Sequence, residues 1–361
     1  MSGKLTTNQA GAIVNGILAE LGEVANHVAA NHVFDDYRQR KSENTIRRQD
    51  AGLVLFAEYL LQLEAGNMNS EATDELKTEV KRRGEALAHD PQAWNGITWG
   101  LVAGFQKWQL ARGYAVSSVN VRLSTIKTYA KLAFKAGTLG DIEYALIRAV
   151  EGYSRKEGKR INGARESADL PTRMGHKKRE AVSITPEQAE ALENQPDTPQ
   201  GRRDALIMHL LLDLGLRVGE VAGLTVDDFD LKAGRLTFFR PKVDKVQTHE
   251  LINGSLQAAR AYIEQDAPEA GLLLRSSRKD GRLHGAGMSA RNISIRVREL
   301  GKRVDINGLS AHDCRHYWAT RAAHMGTPLD RLQEAGGWSS PAMPLRYIEA
   351  AKIANQGVNL R

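Results

Sequence analysis

Apolar residues recur every three or four positions through most of the first half of the chain, which is the spacing of an amphipathic helix. The pattern predicts helices over residues 8–33, from a cap at Ser42 or Asn44 onward, and over 99–111 and 117–136. Residues 66–96 are polar and predict no particular element. Because no strand-like alternation occurs before about residue 180, we expect the first part of the chain to be all-helical.

The second half of the chain mixes helical and alternating patterns. Thr185, followed by Pro186 and then by Gln188, is typical of a helix start. Two alternating runs predict strands joined by the polar turn Pro-Lys-Val-Asp-Lys, and residues 272–274 are a candidate third strand. The expected strands are 235–240 and 246–251, and the expected helices are 205–216, 290–304, 312–325, 329–335 and 344–354. The fold class is therefore mainly α with a small antiparallel β-sheet in the second domain (α+β), after an all-α first domain.

A change of composition divides the two parts. Residues 154–181 contain few apolar and many charged side chains, which cannot bury enough surface to pack by themselves. They predict a basic interdomain linker, either lying along a phosphate backbone or solvated. The expected organisation is an N-terminal helical extension over 1–40, a helical domain over 41–153, this linker, and a second domain over 182–361.

The charge and cysteine content narrow the class of protein. The 361 residues carry a formal net charge of +7, with a sequence pI of about 9.4, which suits a polyanionic partner without proving one. Cys314 is the only cysteine, so an internal disulfide and a cysteine-based zinc cluster are excluded. The start lacks a secretory pattern and no segment approaches ~20 apolar residues, so we expect no membrane span and a cytoplasmic protein.

Four segments of the second domain hold the side chains that metal-free phosphodiester transfer requires: 215–224, 241–245, 311–316 and 336–349. Negative charge on the non-bridging oxygens requires fixed cations, which arginine supplies best, and Arg217 and Arg315 are candidates. A tyrosine hydroxyl such as that of Tyr347 can attack phosphorus once it loses its proton, and the leaving 5′-oxygen needs a general acid. Taken singly, each residue also fits an ordinary surface or core position.

Two short spacings support this chemistry. His312 and Arg315 are three positions apart, so they share a face if the segment is helical. Ser310 is then a candidate N-cap, and the positive end of the helix faces the phosphate. Glu220 follows Arg217 by three residues and is placed to orient it.

In this order the residues resemble the signature of the tyrosine recombinase (phage integrase) family: an arginine after Gly-Leu, a hairpin lysine, a His-x-x-Arg pair, a tryptophan or histidine, and a tyrosine. The matching residues are Arg217, Lys242, His312, Arg315, Trp338 and Tyr347. Trp338, nine positions before Tyr347, is similar to the residue of Cre-like recombinases. The resemblance covers nearly the whole second domain and, more loosely, the helical first domain.

The resemblance implies a role for each residue. The two arginines hold the scissile phosphate with the indole as a third donor, and His312 helps to take the proton from Tyr347. The tyrosine forms a 3′-phosphotyrosine and releases a 5′-hydroxyl, whose proton comes from Lys242, with Lys245 of the same turn as the competing general acid. No cofactor, metal or ATP is needed, and the sequence contains no GxxxxGK[ST] phosphate loop.

The resemblance also implies a DNA partner. Two domains close around double-stranded DNA with a specific, inverted-repeat target site, and a homotetramer on two duplexes exchanges strands through a Holliday junction in the nucleoid. The residues expected to contact DNA are Arg47, Ser117, Ser118, Asn120, Arg122, Ser124, Lys127, Arg240 and Lys245. The tail after Tyr347 is expected to dock on a neighbouring protomer, and the apolar stripe of residues 8–33 favours packing over DNA reading.

Two other functions share these features. A type IB topoisomerase-like enzyme uses related chemistry to relax DNA, and recombination between two marked sites separates a recombinase from it. A non-catalytic DNA-binding relative keeps the fold without the reaction. Loss of one of the six matching residues is its expected sign, and none of the six is missing.

Overall fold

The computed structural model describes residues 7–66, 73–174, 182–278, 280–285 and 287–351. The chain divides into two compact units, Met1–Lys177 and Lys178–Arg361. Residues 352–361, which form most of the tail expected to dock on a neighbour, lie outside the described residues, as does the end of the expected linker. Among the described helices, none combines the length and the apolar character that a bilayer crossing needs.

All regular elements in the described residues of the first unit are helices, as expected for this part of the chain. Its helices are α1 (Thr7–Gln39), α2 (Glu43–Glu64), α3 (Asp74–His89), α4 (Trp99–Ala111), α5 (Val116–Lys135), α6 (Asp141–Ala149) and α7 (Arg155–Ser167). At its centre Phe56, Trp94, Phe105 and Tyr129 pack with ring centroids 5.0 to 6.5 Å apart. Helix α3 lies in the polar stretch without a predicted element, and the Thr73 side chain caps its first turn.

Helix α7 lies in the segment that the composition predicts to be a linker. The Ser154 hydroxyl accepts a hydrogen bond from the Glu157 backbone, and the Glu157 carboxylate accepts one from the Ser154 backbone. This capping box stabilises the first turn, and Gly158 is buried against Val116 of α5. The linker expected over 154–181 is therefore wrong for residues 155–167, because capping and packing outweigh the high charge of the segment.

The second unit combines helices with a small antiparallel sheet. Its helices are α8 (Pro186–Glu193), α9 (Pro199–Leu212), α10 (Val218–Gly223), α11 (Gly254–Gln265), α12 (Ala290–Arg303), α13 (Ala311–His324), α14 (Leu329–Gly336) and α15 (Ala342–Ala351), and its strands are β1 (Phe229–Asp230), β2 (Arg235–Arg240), β3 (Lys245–Glu250), β4 (Ser276–Ser277) and β5 (Leu283–His284). Strands β1, β2 and β3 form one sheet in that order, and β4 pairs with β5.

The sequence suggested residues 272–274 as a third strand, but the third strand of the main sheet is β1. Leu272 makes only an isolated bridge with Thr225. Leu273 and Leu274 are buried in the core of the unit. The apolar run therefore reflects burial of these leucines and not pairing with β2 or β3.

Helix α9 is the central element of the second unit and sets the position of the site. Leu206 and Leu211 are fully buried, and the helix packs against α11 and α13. It ends at Leu212, earlier than the apolar run predicts, and Gly215 adopts a φ of 61°, which side chains with a Cβ rarely allow. This turn makes Arg217 the N-cap of α10.

Candidate active site

Arg217 is fixed in two directions at the start of α10. Its Nη1 donates to Glu220 Oε1 at 2.7 Å, and its Nη2 donates to the backbone oxygen of Gly337 at 2.9 Å. Glu220 is itself buried and accepts a 2.8 Å hydrogen bond from the Arg217 backbone N–H. The carboxylate therefore orients the guanidinium, as the spacing of the two residues predicts.

Arg315 lies in the first half of α13. It reaches the C-terminal turn of α14, which Arg217 also contacts. Ser310 caps α13 as predicted, with its hydroxyl accepting from the Asp313 backbone N–H at 3.3 Å. The Arg315 side chain is only 4% exposed and donates to the backbone oxygens of Gly215 and Gly336. Since Arg217 and Arg315 bind consecutive carbonyl groups, the two guanidinium groups are neighbours.

The electrostatics of this pair favour an anion. Burial, together with the positive charge of Arg217, lowers the pKa of Arg315 to about 10. Two cations held close together in a partly desolvated site repel each other, and a bound anion relieves that repulsion. Planar guanidinium groups are well suited to bind two phosphate oxygens at once.

Arg240 is buried within the second unit, whereas the sequence interpretation placed it among the residues that contact DNA. It is the last residue of β2, whose alternate residues point inward, and its side chain is 0% exposed. Nη1 donates to Glu220 and to the Gly336 backbone oxygen, and Nη2 donates to the Ala335 backbone oxygen at 2.9 Å. We therefore correct its role to a positioning residue beneath Glu220.

His249 of β3 completes the surroundings of Arg240. Its Nε2 lies 3.0 Å from Arg240 Nη2, and because a guanidinium can only donate, the histidine nitrogen accepts. Burial and the Arg240 charge lower the pKa of His249 to about 4, so the imidazole is neutral at neutral pH.

The end of α14 binds all three arginines. Gly337 ends this helix with a φ of 56°, and the backbone oxygens of Ala335, Gly336 and Gly337 accept from Arg240, Arg315 and Arg217. The helix C-terminus carries partial negative charge, so it stabilises cations there. A β-carbon on Gly337 would lie 2.8 Å from Arg240 Nη1, which explains why a residue without a side chain stands at this turn.

Tyr347 of α15 is 8% exposed, and its hydroxyl contacts a histidine that the sequence reasoning did not single out. The phenolic oxygen lies 3.1 Å from Nδ1 of His316, and Nε2 of His316 lies 3.1 Å from Nε2 of His312. Burial raises the pKa of Tyr347 and the Arg315 charge opposes that rise. The resemblance implies that His312 helps to take the proton from Tyr347, and in the structure His316 lies between the two side chains.

His316 leaves one signal in the sequence. It follows His312 by four residues, so the two rings share a helix face, but this spacing does not reveal that α15 lies across that face.

Trp338 packs within the site. Its ring centroid lies 5.9 Å from that of Tyr347 and 6.0 Å from that of Trp318, and the Arg315 guanidinium lies 4.6 Å from the Trp338 ring. These contacts fix the indole between the arginine and the tyrosine. Its expected hydrogen bond to a phosphate oxygen remains a prediction.

The two candidate general acids lie at the turn between β2 and β3. Lys245 Nζ forms a 2.6 Å ion pair with Glu334, whose Oε1 also accepts from Gln247 at 2.9 Å. Lys242 is exposed at the turn and forms no ion pair with any residue that the structure describes. Lys242 is therefore the less constrained of the two.

Three of the expected DNA-contacting side chains on α5 have internal partners. Asn120 Nδ2 donates to the Tyr153 backbone oxygen at 2.8 Å, and its Oδ1 accepts from the Tyr153 N–H at 2.9 Å. Arg122 donates to Gln109 at 3.0 Å. Lys127 donates to the backbone oxygen of Arg148 at 2.8 Å. These bonds hold α5 to its neighbours within the first unit.

The other expected contacts lie nearer the surface. Arg47 of α2 forms an exposed 2.9 Å ion pair with Glu43. On α5, Ser117 and Ser124 are exposed and Ser118 is partly exposed. Their contact with DNA stays a prediction.

A separate cluster in the second unit has metal-ligand residue types. Donor atoms of Glu193, His209 and Asp213 lie within 4.8 Å of one another, and His209 Nδ1 is 2.8 Å from Asp213 Oδ2. None of the three contacts the arginines or the tyrosine in any described hydrogen bond. Burial and the Asp213 charge raise the pKa of Glu193 to about 7.

Together these contacts define a class of site. A tyrosine hydroxyl bonded to a histidine pair, near two adjacent guanidinium groups, supplies the groups that attack on a phosphodiester by a phenolic nucleophile would need. Residues 183–353 match the model of the phage integrase family. This part of the chain therefore belongs to the phage integrase family, the tyrosine recombinases.

Known proteins agree with this assignment. Tyrosine recombinase XerA of Thermococcus kodakarensis is 27% identical over 204 residues, which cover 54% of this chain and 66% of that protein. XerD of Neisseria meningitidis is 29% identical over 48% of this chain and 60% of its own length. XerC of Chlamydia pneumoniae is 25% identical over 90% of this chain and 95% of its own length. This chain thus spans about two thirds or less of the length of the XerA and XerD relatives.

Solved structures share the fold. The Tn1549 transposon integrase in complex with a circular intermediate DNA has a TM-score of 0.53 and 17% identity, covering 81% of this chain and 94% of its own. A lambda integrase dimer bound to a core site has a TM-score of 0.51 and 14% identity, covering 84% and 96%. At these identities the likeness establishes the fold alone.

Proposed function

We propose that this protein is a site-specific DNA recombinase that cleaves and rejoins DNA through a covalent bond between Tyr347 and a 3′-phosphate. The observation that carries the proposal is the convergence of Arg217 and Arg315 on the carbonyls of Gly336 and Gly337. The same short segment continues to Tyr347, so the nucleophile and the cations are built on one support. The XerA and XerD relatives, both tyrosine recombinases by name, support the proposal.

The reaction follows from the residues. The Tyr347 oxygen bonds to phosphorus while the bond from phosphorus to the 5′-oxygen breaks, and the two guanidinium groups neutralise the charge that develops on the non-bridging oxygens. The phenolic proton goes to the histidine pair, and Lys242 gives a proton to the leaving 5′-oxygen. Because the phosphotyrosine keeps the bond energy, a 5′-hydroxyl of a partner strand can reverse the step without ATP.

Lys242 is the proposed general acid because Lys245 is already paired with Glu334. A substrate with sulfur in place of the bridging 5′-oxygen tests this, since a thiolate leaves without a proton. We expect Lys242→Ala to slow cleavage of the ordinary substrate by ~10²-fold or more and to be restored on the sulfur substrate. Lys245→Ala is the matched control and should cleave both at nearly the unchanged rate.

The substrate and assembly are part of the proposal. We propose a double-stranded DNA site with inverted repeats in the nucleoid, bound by four copies of the chain that exchange strands through a Holliday junction. The lambda neighbour, a dimer bound to a core site, supports binding by more than one copy. Mass measurement of the DNA-bound protein distinguishes a tetramer on two duplexes from a monomer on one.

The decisive experiment uses nicked suicide duplexes drawn from DNA flanking the gene, incubated with the full-length protein. We expect a covalent protein–DNA adduct that Tyr347→Phe abolishes, and exchange between two marked copies of the recovered site. Absence of any adduct across a randomised duplex library would refute the proposal. Plasmid relaxation without exchange would instead indicate a topoisomerase-like enzyme.

A further inference from the structure

The phenol of Tyr347 has a bonding partner that the sequence signature does not include. His316 Nδ1 lies 3.1 Å from the Tyr347 oxygen, and its other nitrogen lies 3.1 Å from Nε2 of His312. The two imidazole rings are 4.5 Å apart and nearly perpendicular, and the Tyr347 ring lies edge-on at 5.4 Å from His316. Three ring side chains therefore form one continuous hydrogen-bonded row.

From this row we infer that His316 is the group that takes the phenolic proton when Tyr347 attacks, and that His312 fixes the tautomer of His316. The inference rests on the proposed function of the site. It assigns the proton-accepting atom to Nδ1 of His316, and it makes the help that the family resemblance implies for His312 an indirect one.

Donor and acceptor counting allows two tautomer arrangements of the row, and the inference requires the one in which Nε2 of His316 donates. A neutral imidazole has one N–H and one lone pair, so a bond between two Nε2 atoms requires one donor and one acceptor. If His316 donates from Nε2 to His312, its Nδ1 keeps a lone pair that faces the phenol. A phenolic O–H, with an ordinary pKa of about 10, is a strong donor to that lone pair. This arrangement leaves His316 ready to accept the proton.

The proton balance closes. The O–H proton of Tyr347 moves to Nδ1 of His316, which becomes an imidazolium that still donates through Nε2 to His312. The phenolic oxygen forms the bond to phosphorus, and the 5′-oxygen leaves with a proton from Lys242. In the reverse step the attacking 5′-hydroxyl gives its proton to Lys242 and bonds to phosphorus, and His316 returns its proton to the tyrosine oxygen as the bond from phosphorus to that oxygen breaks.

The exposure of the three side chains in the row increases from Tyr347 to His312. Tyr347 is buried, His316 is partly buried, and His312 is exposed. The row thus extends from the buried nucleophile to the protein surface. When His316 becomes positively charged, its hydrogen bond to the exposed His312 stabilises that charge.

Burial and the neighbouring arginine charges lower the pKa of both histidines in the row. Burial lowers the pKa of His316, the Asp313 charge opposes that decrease, and the Arg315 charge adds to it. Although the His312 side chain is exposed at the surface, partial desolvation by its neighbours lowers its pKa, as do His316, Arg315 and Arg217, and the Asp313 charge opposes that decrease. A phosphate beside the arginines offsets their positive charge and favours the imidazolium. The charged groups facing the row are Asp313 and Arg315 from α13, Arg217 from the start of α10, and Arg346 from α15.

One test needs no DNA and reads the tautomer directly. In full-length protein with ¹⁵N-labelled histidine, Nδ1 of His316 should resonate as an unprotonated nitrogen and Nε2 as a protonated one at neutral pH. The His316→Gln variant assigns these resonances. A protonated Nδ1 in the free protein would overturn the inference while leaving the proposed function untouched.

The second test uses the adduct assay at several pH values. We expect His316→Gln to bind DNA normally and to form adduct ~10²-fold or more slowly at neutral pH. Its rate should rise about tenfold per pH unit, because only spontaneously ionised phenol attacks, whereas the unmodified protein should show a flatter profile. The sulfur substrate that restores Lys242→Ala should not restore His316→Gln, since the two residues handle different protons.

A matched control comes from the same helix. His324 is exposed in the last turn of α13, and His324→Gln should leave the adduct rate unchanged. Adduct formation by His316→Gln at the rate of His324→Gln, or its recovery on the sulfur substrate, would refute the role of His316. If the unmodified protein forms no adduct with any duplex, the proposed function fails, and the tautomer measurement still decides the geometry of the row.

Discussion

Arg240→Met removes a fully buried guanidinium while keeping a side chain of similar length. Arg240 donates to Glu220, to the backbone oxygens of Ala335 and Gly336, and to His249. Breaking one side of a buried ion pair costs about 3–5 kcal/mol. Glu220 keeps its 2.7 Å bond to Arg217, so we expect the lower end, about 3 kcal/mol. At roughly 2–4 °C per kcal/mol for a unit of this size, the melting temperature of the second unit falls by about 6–12 °C.

Cys314 provides an assay for the second unit alone. It is the only cysteine and is fully buried, so the denaturant dependence of its reaction with a thiol reagent reports opening of this unit. Arg235→Met is the matched control, because Arg235 is exposed on the same strand, and it should change stability by less than about 0.5 kcal/mol. Equal stability of the two variants would refute the reasoning and would mean that an apolar side chain replaces the buried arginine contacts without loss.

Three further predictions concern parts of the fold on which the site depends. Gly215→Ala should destabilise the second unit by about 2–4 kcal/mol in Cys314 labelling, since an added Cβ would lie 2.3 Å from Trp318 at a φ of 61°; stability equal to the parent would contradict this. Because the pKa of Glu193 is raised to about 7 from 4.5, the parent protein loses stability as pH rises through that window. The free energy of unfolding of Glu193→Gln, measured in urea relative to the parent, should therefore increase by about 1–3 kcal/mol between pH 5 and pH 8. A difference that does not depend on pH would contradict the raised pKa. Ser154→Ala should weaken α7 by about 1 kcal/mol, measured as faster amide exchange confined to residues 155–167; unchanged exchange there would count against the cap.

The elements with a strong apolar period could be predicted from sequence, and those held by polar contacts could not. Helix α4 and strand β2 have the predicted bounds because their side chains alternate between the interior and solvent with the period of the element. Helices α3 and α7 carry few apolar residues. Their first turns depend on the Thr73 cap and the Ser154 capping box, which composition averages conceal.

The candidate site divides in the same way. Residue type and the family order select Arg217, Arg315 and Tyr347 as candidates, and the structure brings the two arginines to consecutive carbonyl groups. The roles of Arg240 and His316 depend on which elements lie across from them. Arg240 ends a strand that continues inward beneath Glu220, and His316 faces α15, which begins 26 residues later. Contacts between distant segments are not recorded in local spacing, so a surface role was the simplest interpretation for Arg240.

The C-terminal turn of α14 has a mechanical consequence. It accepts hydrogen bonds from three guanidinium groups, and ten residues further on the same segment carries the nucleophile. A displacement of this turn would therefore change the hydrogen bonds of the three arginines and the start of the segment that carries Tyr347. Under the proposed function, the turn thus connects the arginines that would bind the phosphate to the segment that carries the nucleophile.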